Sequence, residues 1–366
     1  MAPDQVLFER RGHLGTIVLN RPRNINALTP HMVEAILAKL EEWAEDDAVK
    51  TVLVRGSGDR GLCAGGDIVA IYRDMLDDGG SASARFWARE YRLNSLISRY
   101  PKPYVAFMDG LVLGGGVGIS AHGSHRIVTE RTRMGMPETT IGFVPDVGAT
   151  CLLAAAPGES GTHAALTGAH LDGADVLHLG LADHFVQSEA LDALAFALGE
   201  EAADDAVARF AQGPPPSSLA AEMTWIDQAY ASEDVDDIML RLRMAGVPKA
   251  THAADIIGAK SPTALKVTLQ ALRRVRTLDL SLEDALDMEY RIALRFLEGN
   301  DFREGIRAQV IDKDRTPRWH PATTADVTQA MVAACFASLG PRELGLGNQV
   351  MTEKPVSKQF STSSGV

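Results

Sequence analysis

Cysteine is scarce, with three in 366 residues, at positions 63, 151 and 335. Their odd number and wide spacing exclude a disulfide framework and any cysteine-based metal pattern. They read as small buried apolar groups in a reducing compartment. Long apolar runs are also missing: no stretch reaches the roughly 18 residues of a membrane-spanning helix. The opening Met1-Ala-Pro-Asp-Gln5 lacks the basic end and apolar stretch of a secretory leader. No Arg-rich transit segment is visible either, so a cytoplasmic protein is expected. Positive charge is the third deficit: 36 Lys and Arg face 48 Asp and Glu, a net charge of -12. Such a chain repels phosphate, and nucleic acid is not an expected partner. What remains is 46% hydrophobic and 23% charged. That is ordinary for a globular protein, and long enough for one large domain plus an extension.

Strand and helix patterns alternate along the first half. Val6–Arg10 and Gly15–Asn20 read as short strands around a Gly-containing turn. Thr29-Pro30 opens a helix, with Thr as the cap and Pro at the first helical position. Its apolar face carries Met32, Val33, Ile36, Leu37, Leu40 and Trp43. Thr51–Val54 is the next strand. A helix then follows Asp67 through Ile68, Ile71, Tyr72 and Met75, and another runs from Ala84 to Tyr100 until Pro101-Lys-Pro103 breaks it. Tyr104–Phe107 and His125–Thr129 are strands, with a glycine-led helix start over Gly114–Ala121 between them. This order argues an α/β layered core.

Near residue 200 the composition shifts. Glu200-Glu-Ala-Ala-Asp-Asp205 is acidic, and Gly213-Pro-Pro-Pro-Ser-Ser218 is a semi-rigid linker. Beyond it strand signals fade. Ser261-Pro262 opens one helix, and Ser281 with Asp284 resembles a capping box for another. The chain therefore divides into a core over residues 1–205, a mainly helical region over 206–345, and a Ser/Thr-rich tail over 346–366 that is expected to be disordered.

Three stretches could carry chemistry. Cys63-Ala-Gly-Gly-Asp67 allows an unusual turn, after which Asp67 can cap a helix while the Gly66 N–H points into a cavity. Gly110-Leu-Val-Leu-Gly-Gly-Gly-Val-Gly118 exposes free N–H groups at a helix start. Its glycines fit the dinucleotide spacing poorly, which disfavours a nicotinamide cofactor. Met136-Pro-Glu-Thr-Thr-Ile-Gly-Phe-Val-Pro-Asp-Val-Gly148 puts Glu138 and Asp146 on one bending connection. If Gly66 and Gly115 aim their N–H groups at one point, they form an oxyanion hole with two acids beside it. No zinc spacing or Ser–His–Asp order is evident among the histidines. Arg21, Arg23, Arg55 and Arg60 could supply a basic patch for an anionic ligand.

Taken together these motifs resemble the crotonase (enoyl-CoA hydratase/isomerase) superfamily. The resemblance rests on Asn20-Arg-Pro-Arg-Asn-Ile-Asn-Ala-Leu28, Cys63–Asp67, Gly114-Gly-Gly116 and Pro137-Glu138. Within it the chain is similar to the 3-hydroxyisobutyryl-CoA hydrolase family. That likeness rests on Glu90-Tyr91, Met136–Gly148, Ser261–Lys266, Met288-Glu-Tyr-Arg291, Asp301–Ala308, Ile311–Asp314 and Pro317–Trp319. It implies an α/β fold: a spiral of ββα turns followed by a mainly α-helical C-terminal region that covers the active site. It implies an acyl-CoA substrate, polarised by the N–H groups of Gly66 and Gly115. Asn26, Ala27, Leu28, Ala64, Asp67 and Ile68 would line the CoA path, and Glu90, Glu138 and Asp146 would be the acyl-site carboxylates. Hydratases of the superfamily carry a second catalytic Glu where this chain has Gly118. Thioester hydrolysis is therefore expected, with an enoyl-CoA hydratase or isomerase and a non-catalytic CoA-binding protein as alternatives. No metal or redox cofactor is implied, since CoA arrives as part of the substrate. A trimer, as in crotonases, and a monomer both remain open.

Overall fold

The computed structural model describes residues 4–347. β1 (Val6–Arg11) and β2 (Leu14–Leu19) form an antiparallel hairpin, with Val6 opposite Leu19. α1 (Pro30–Glu45) follows, capped by Thr29, whose hydroxyl accepts from the Met32 N–H with Pro30 at the first position. All six apolar residues of its predicted face are buried.

Three strand pairs come next, and each pair is split between two sheets. The first is β3 (Thr51–Gly56) with β4 (Gly61–Cys63), followed by α2 (Ile68–Asp78) and α3 (Ser81–Ser98). The second is β5 (Tyr104–Met108) with β6 (Leu111–Leu113), followed by α4 (Gly115–Gly118). The third is β7 (His125–Val128) with β8 (Arg133–Gly135). Helices α5 (Ala149–Ala154), α6 (Ser160–Thr167) and α7 (Gly173–His178) lead to β9 (His184–Phe185), and α8 (Leu191–Ala197) and α9 (Ala203–Phe210) close this part. The larger sheet runs β1-β2-β3-β5-β7-β9, parallel beyond the first pair; the smaller runs β4-β6-β8, all parallel. This is the expected ββα spiral. β5 is buried at all five positions, as a parallel strand covered on both faces requires. One face of the large sheet packs on α8 and α9 through Leu53, Val105, Phe107 and Ile127 against Leu191, Leu194 and Val207.

No strand among the described residues lies beyond β9. α10 (Ser218–Tyr230), α11 (Val235–Met244), α12 (Pro248–Gly258), α13 (Pro262–Leu278), α14 (Leu282–Glu298) and α15 (Asp301–Ile306) run into a π-helical turn over Arg307–Ile311, and α16 (Gln329–Cys335) comes last. These helices share one apolar core with the spiral, extending from Val6 to Leu346. Ser281 caps α14 by accepting from the Asp284 N–H, but the Asp284 carboxylate takes the Ser281 hydroxyl at 2.6 Å. The tail expected to be disordered lies outside the described residues, apart from Leu346 and Gly347. Both of these donate backbone N–H groups to Asp287.

Candidate active site

The small sheet builds the site. Its three strands are neighbours in register, Cys63 beside Val112 and Leu113 beside Gly135. Each ends at the same edge, and a site residue follows within three positions: Gly66 after β4, Gly115 after β6 and Glu138 after β8. Ligands of parallel sheets bind outside these carboxyl ends. The glycines are required by geometry. Gly65 has φ +98, and Gly114 has φ +49 with a Cβ position only 2.8 Å from Glu138 Oε1. A methyl on Gly115 would lie 3.5 Å from the Gly66 nitrogen and 2.5 Å from Glu90 Oε1. Neither the Gly66 nor the Gly115 N–H has an acceptor among the described residues. Two adjacent, unspent backbone donors therefore border the same space as the carboxyls of Glu90 and Glu138.

That space is a cavity of ≈ 240 Å³. Gly66, Gly115, Glu90, Glu138 and Asp146 all line it, together with Ala64 and Ile68. α3 contributes Phe86, Trp87 and Glu90 from one face, because residues three and four apart stack on a helix. The rings of Trp87, Phe143 and Phe302 form an apolar wall, with centroids 5.2 Å and 4.5 Å apart in the two stacked pairs. Phe302 and Gln309 bring the C-terminal region into the wall. Neither residue carries a local sequence signal that marks it for the site.

The expected CoA-path residues divide. Leu28 and Asp67 line a smaller groove beside the cavity, along α2. Asn26 and Ala27 line neither. Asn26 is fully buried and serves the loop instead: its amide donates to the Ser57 and Gly61 carbonyls, and its Oδ1 accepts from the Arg21 N–H at 2.9 Å. Ile25 and Asn26 both have positive φ, and this double bend needs that internal brace. Asp67 caps α2 at Ala70 and pairs with Arg21 at 2.9 Å. Arg55 pairs with Asp192 at 2.9 Å. Two of the four arginines considered for an anion patch are thus held by carboxylates.

Three buried carboxyls share the cavity. Glu90 Oε1 and Glu138 Oε2 have no hydrogen-bond partner among the described residues. Burial pushes both groups well above the usual carboxylate range, and the Asp146 charge raises each further. Burial also lifts Asp146, to about 7, against the pull of a 2.7 Å hydrogen bond that the Tyr91 hydroxyl donates to its Oδ2. Unpaired polar atoms and displaced carboxyl pKa values gather at reactive sites. Lys260 lies close by, donating to Thr140 Oγ1; burial lowers it to about 8 while the Glu138 charge opposes the shift.

Asp146 is followed by Val147 at φ 55, a left-handed conformation that costs a β-branched residue about 1–3 kcal/mol. His122 Nε2 reaches the Val147 carbonyl at 2.7 Å. Glu289 of α14 accepts from the Gly148 N–H at 2.7 Å, the Thr150 N–H at 3.0 Å and the Thr150 hydroxyl at 2.6 Å. Tyr91 and Glu289 stand inside segments that carried the family likeness, but their partners are far away in sequence. Among the described residues no group of three or more His, Cys, Asp or Glu side chains is arranged to hold a metal ion.

The family model for enoyl-CoA hydratase/isomerase matches residues 14–336. The chain belongs to the enoyl-CoA hydratase/isomerase family. Among curated members, the mitochondrial 3-hydroxyisobutyryl-CoA hydrolase of Rattus norvegicus is 41% identical over 351 residues, 93% of this chain and 90% of that protein. The Homo sapiens protein of the same name is 37% identical, over 94% of this chain and 91% of its own length. A solved structure described as a carnitinyl-CoA dehydratase from Mycobacterium thermoresistibile is 50% identical with a TM-score of 0.90, covering 93% of this chain and 98% of that one. Another, described as an enoyl-CoA hydratase from Rhodobacter sphaeroides, is 39% identical with a TM-score of 0.88, covering 93% and 99%. The fold is thus shared over 93% of this chain.

Proposed function

We propose that the protein hydrolyses an acyl-CoA thioester, 3-hydroxyisobutyryl-CoA, to CoA and the free hydroxy acid. The observation that carries this is the pair of glycines with unspent N–H groups lining one cavity with buried carboxyls, with glycine at position 118. The thioester oxygen accepts from Gly66 and Gly115, which stabilise the negative charge that develops on it. Glu138, beside Gly114, either attacks the carbonyl carbon or activates water. In one route its carboxylate bonds to the carbonyl carbon, the C–S bond breaks, and CoA leaves as a thiolate that takes up a proton. Water then hydrolyses the mixed anhydride, releasing the hydroxy acid and restoring Glu138. In the other route Glu138 takes a proton from water that attacks the carbonyl carbon directly; the C–S bond then breaks, and CoA leaves as a thiolate that takes up a proton. Asp146 holds the substrate hydroxyl or carries the proton, and Glu90 binds the 3-hydroxyl.

The dehydratase and hydratase descriptions of the two solved structures favour a second reading, addition or removal of water across a double bond. Position 118 speaks against it. A Cβ on Gly118 would lie 2.7 Å from Val147 Cβ and 2.8 Å from Asn94 Nδ2, so the glutamate that hydratases carry there has no room. The two readings separate in paired assays, thiol release from 3-hydroxyacyl-CoA against hydration of an enoyl-CoA. Hydration faster than thiol release would reverse the assignment. Single-turnover hydrolysis in heavy-oxygen water then tells the routes apart. Label first found on the Glu138 carboxylate supports the anhydride, and label passing straight into product supports activated water.

A further inference from the structure

Asp146 sits on a corner that its own residues would not choose. Val147 and Gly148 take successive left-handed conformations, at φ 55 and φ 81. Glycine enters that region freely, but valine does not. The corner is held by side chains from three parts of the fold. Tyr91 on α3 binds the Asp146 carboxylate itself. His122, on the turn after α4, contacts the Val147 carbonyl; a carbonyl only accepts, so Nε2 carries the proton. Glu289 on α14, with no exposed surface, takes three donors of the corner, the Gly148 N–H, the Thr150 N–H and the Thr150 hydroxyl. Space is tight on the same side: a Cβ on Gly148 would stand 2.5 Å from Leu282 Cδ1 and 2.8 Å from His122 Nε2.

We propose that Glu289 is a positioning residue for the reaction, fixing the Val147–Gly148 corner and thereby aiming Asp146 into the cavity. It does not line the cavity, so it acts through Gly148 and Thr150 and not on the substrate. The helical C-terminal region then tunes the acid of a site built by the spiral. This rests on the reading of Asp146 as a working acid in thioester hydrolysis.

The test uses the full chain and whichever acyl-CoA the wild-type protein cleaves fastest. A wild type inactive on every thioester overturns the proposed function, whereas the variants decide the role of Glu289. Glu289→Gln offers an amide where three donors converge, and Thr150→Ala removes a single hydroxyl contact. Circular dichroism at the assay temperature selects the folded variants. Misplacing a catalytic group by about 1 Å costs on the order of 100-fold. The expected result is a kcat about 10- to 100-fold lower for Glu289→Gln with KM within about threefold, and a smaller kcat loss for Thr150→Ala. In an Asp146→Asn background the Glu289→Gln change should lower kcat by less than about twofold, because both act on one group. Folded Glu289→Gln with wild-type kcat overturns the proposal, and so does a full further loss in the Asp146→Asn background. If Glu289→Gln does not fold, wild-type kcat in Thr150→Ala overturns it.

Discussion

Replacing Asp146 by Asn should make the protein harder to unfold, by an amount that grows as pH rises from about 4 to 7. The side chain is buried, and burial moves its pKa from 3.8 to about 7 in the folded protein. A carboxyl with a raised folded pKa binds its proton more tightly in the native state than in the unfolded chain. Below about pH 4 both states hold the proton and the group costs nothing. As pH rises toward 7 the unfolded chain gives up its proton while the native state keeps it, and stability falls by about 1.36 kcal/mol per pH unit. Above pH 7 the loss levels off. About three pH units separate the two values, so the full cost is about 4 kcal/mol. Asn has the same shape, can still accept from the Tyr91 hydroxyl, and carries no charge. Urea unfolding at pH 8 should therefore show Asp146→Asn more stable by up to about 4 kcal/mol, with a difference under about 0.5 kcal/mol at pH 4. The gain is bought with activity, as is usual for strained functional sites. An equal difference at both pH values, or a less stable variant at pH 8, would refute the argument that burial dominates this group.

Two further outcomes follow from the same geometry. Gly115→Ala brings a methyl to 2.5 Å from Glu90 Oε1 and 3.5 Å from the Gly66 nitrogen, at the mouth of the oxyanion hole. Thiol release should fall about 100- to 1000-fold, as when one such donor is lost, and a loss under about tenfold would count against the hole. Burial lifts Glu138 well above the usual carboxylate range and Asp146 to about 7, so both take up protons at a higher pH than a solvated carboxylate does. The pH profile of kcat/KM should therefore drop on the acid side well above the ordinary carboxylate range; a drop near pH 4 would mean that an ordinary, solvated carboxylate does the work.

The elements with long apolar faces were legible in the sequence. α1 and the helix opened at Ser261-Pro262 begin at the expected caps, the latter with the Ser261 hydroxyl accepting from the Ala264 N–H. The small sheet was not legible. Its strands Gly61–Cys63, Leu111–Leu113 and Arg133–Gly135 are three residues each, too short to show alternation, although they position Gly66, Gly115 and Glu138. Gly66, Gly115, Glu138 and Asp146, singled out in the sequence, do meet in one cavity. The corner after Asp146 gave no warning, because a β-branched residue in the left-handed region has no sequence signature. Its clamp, Glu289, is 141 residues from Gly148. Asn26 shows a structural duty that its place in a family motif did not reveal: its amide is spent inside the loop.

The most direct test of the account is thiol release from 3-hydroxyisobutyryl-CoA by the wild-type protein beside Glu138→Gln, with CoA binding measured on both. The account predicts steady release by the wild type, a loss of about 1000-fold or more in the variant, and CoA affinity preserved in both. Near-normal release by Glu138→Gln, or a wild type that hydrates enoyl-CoA and leaves the thioester intact, would contradict it.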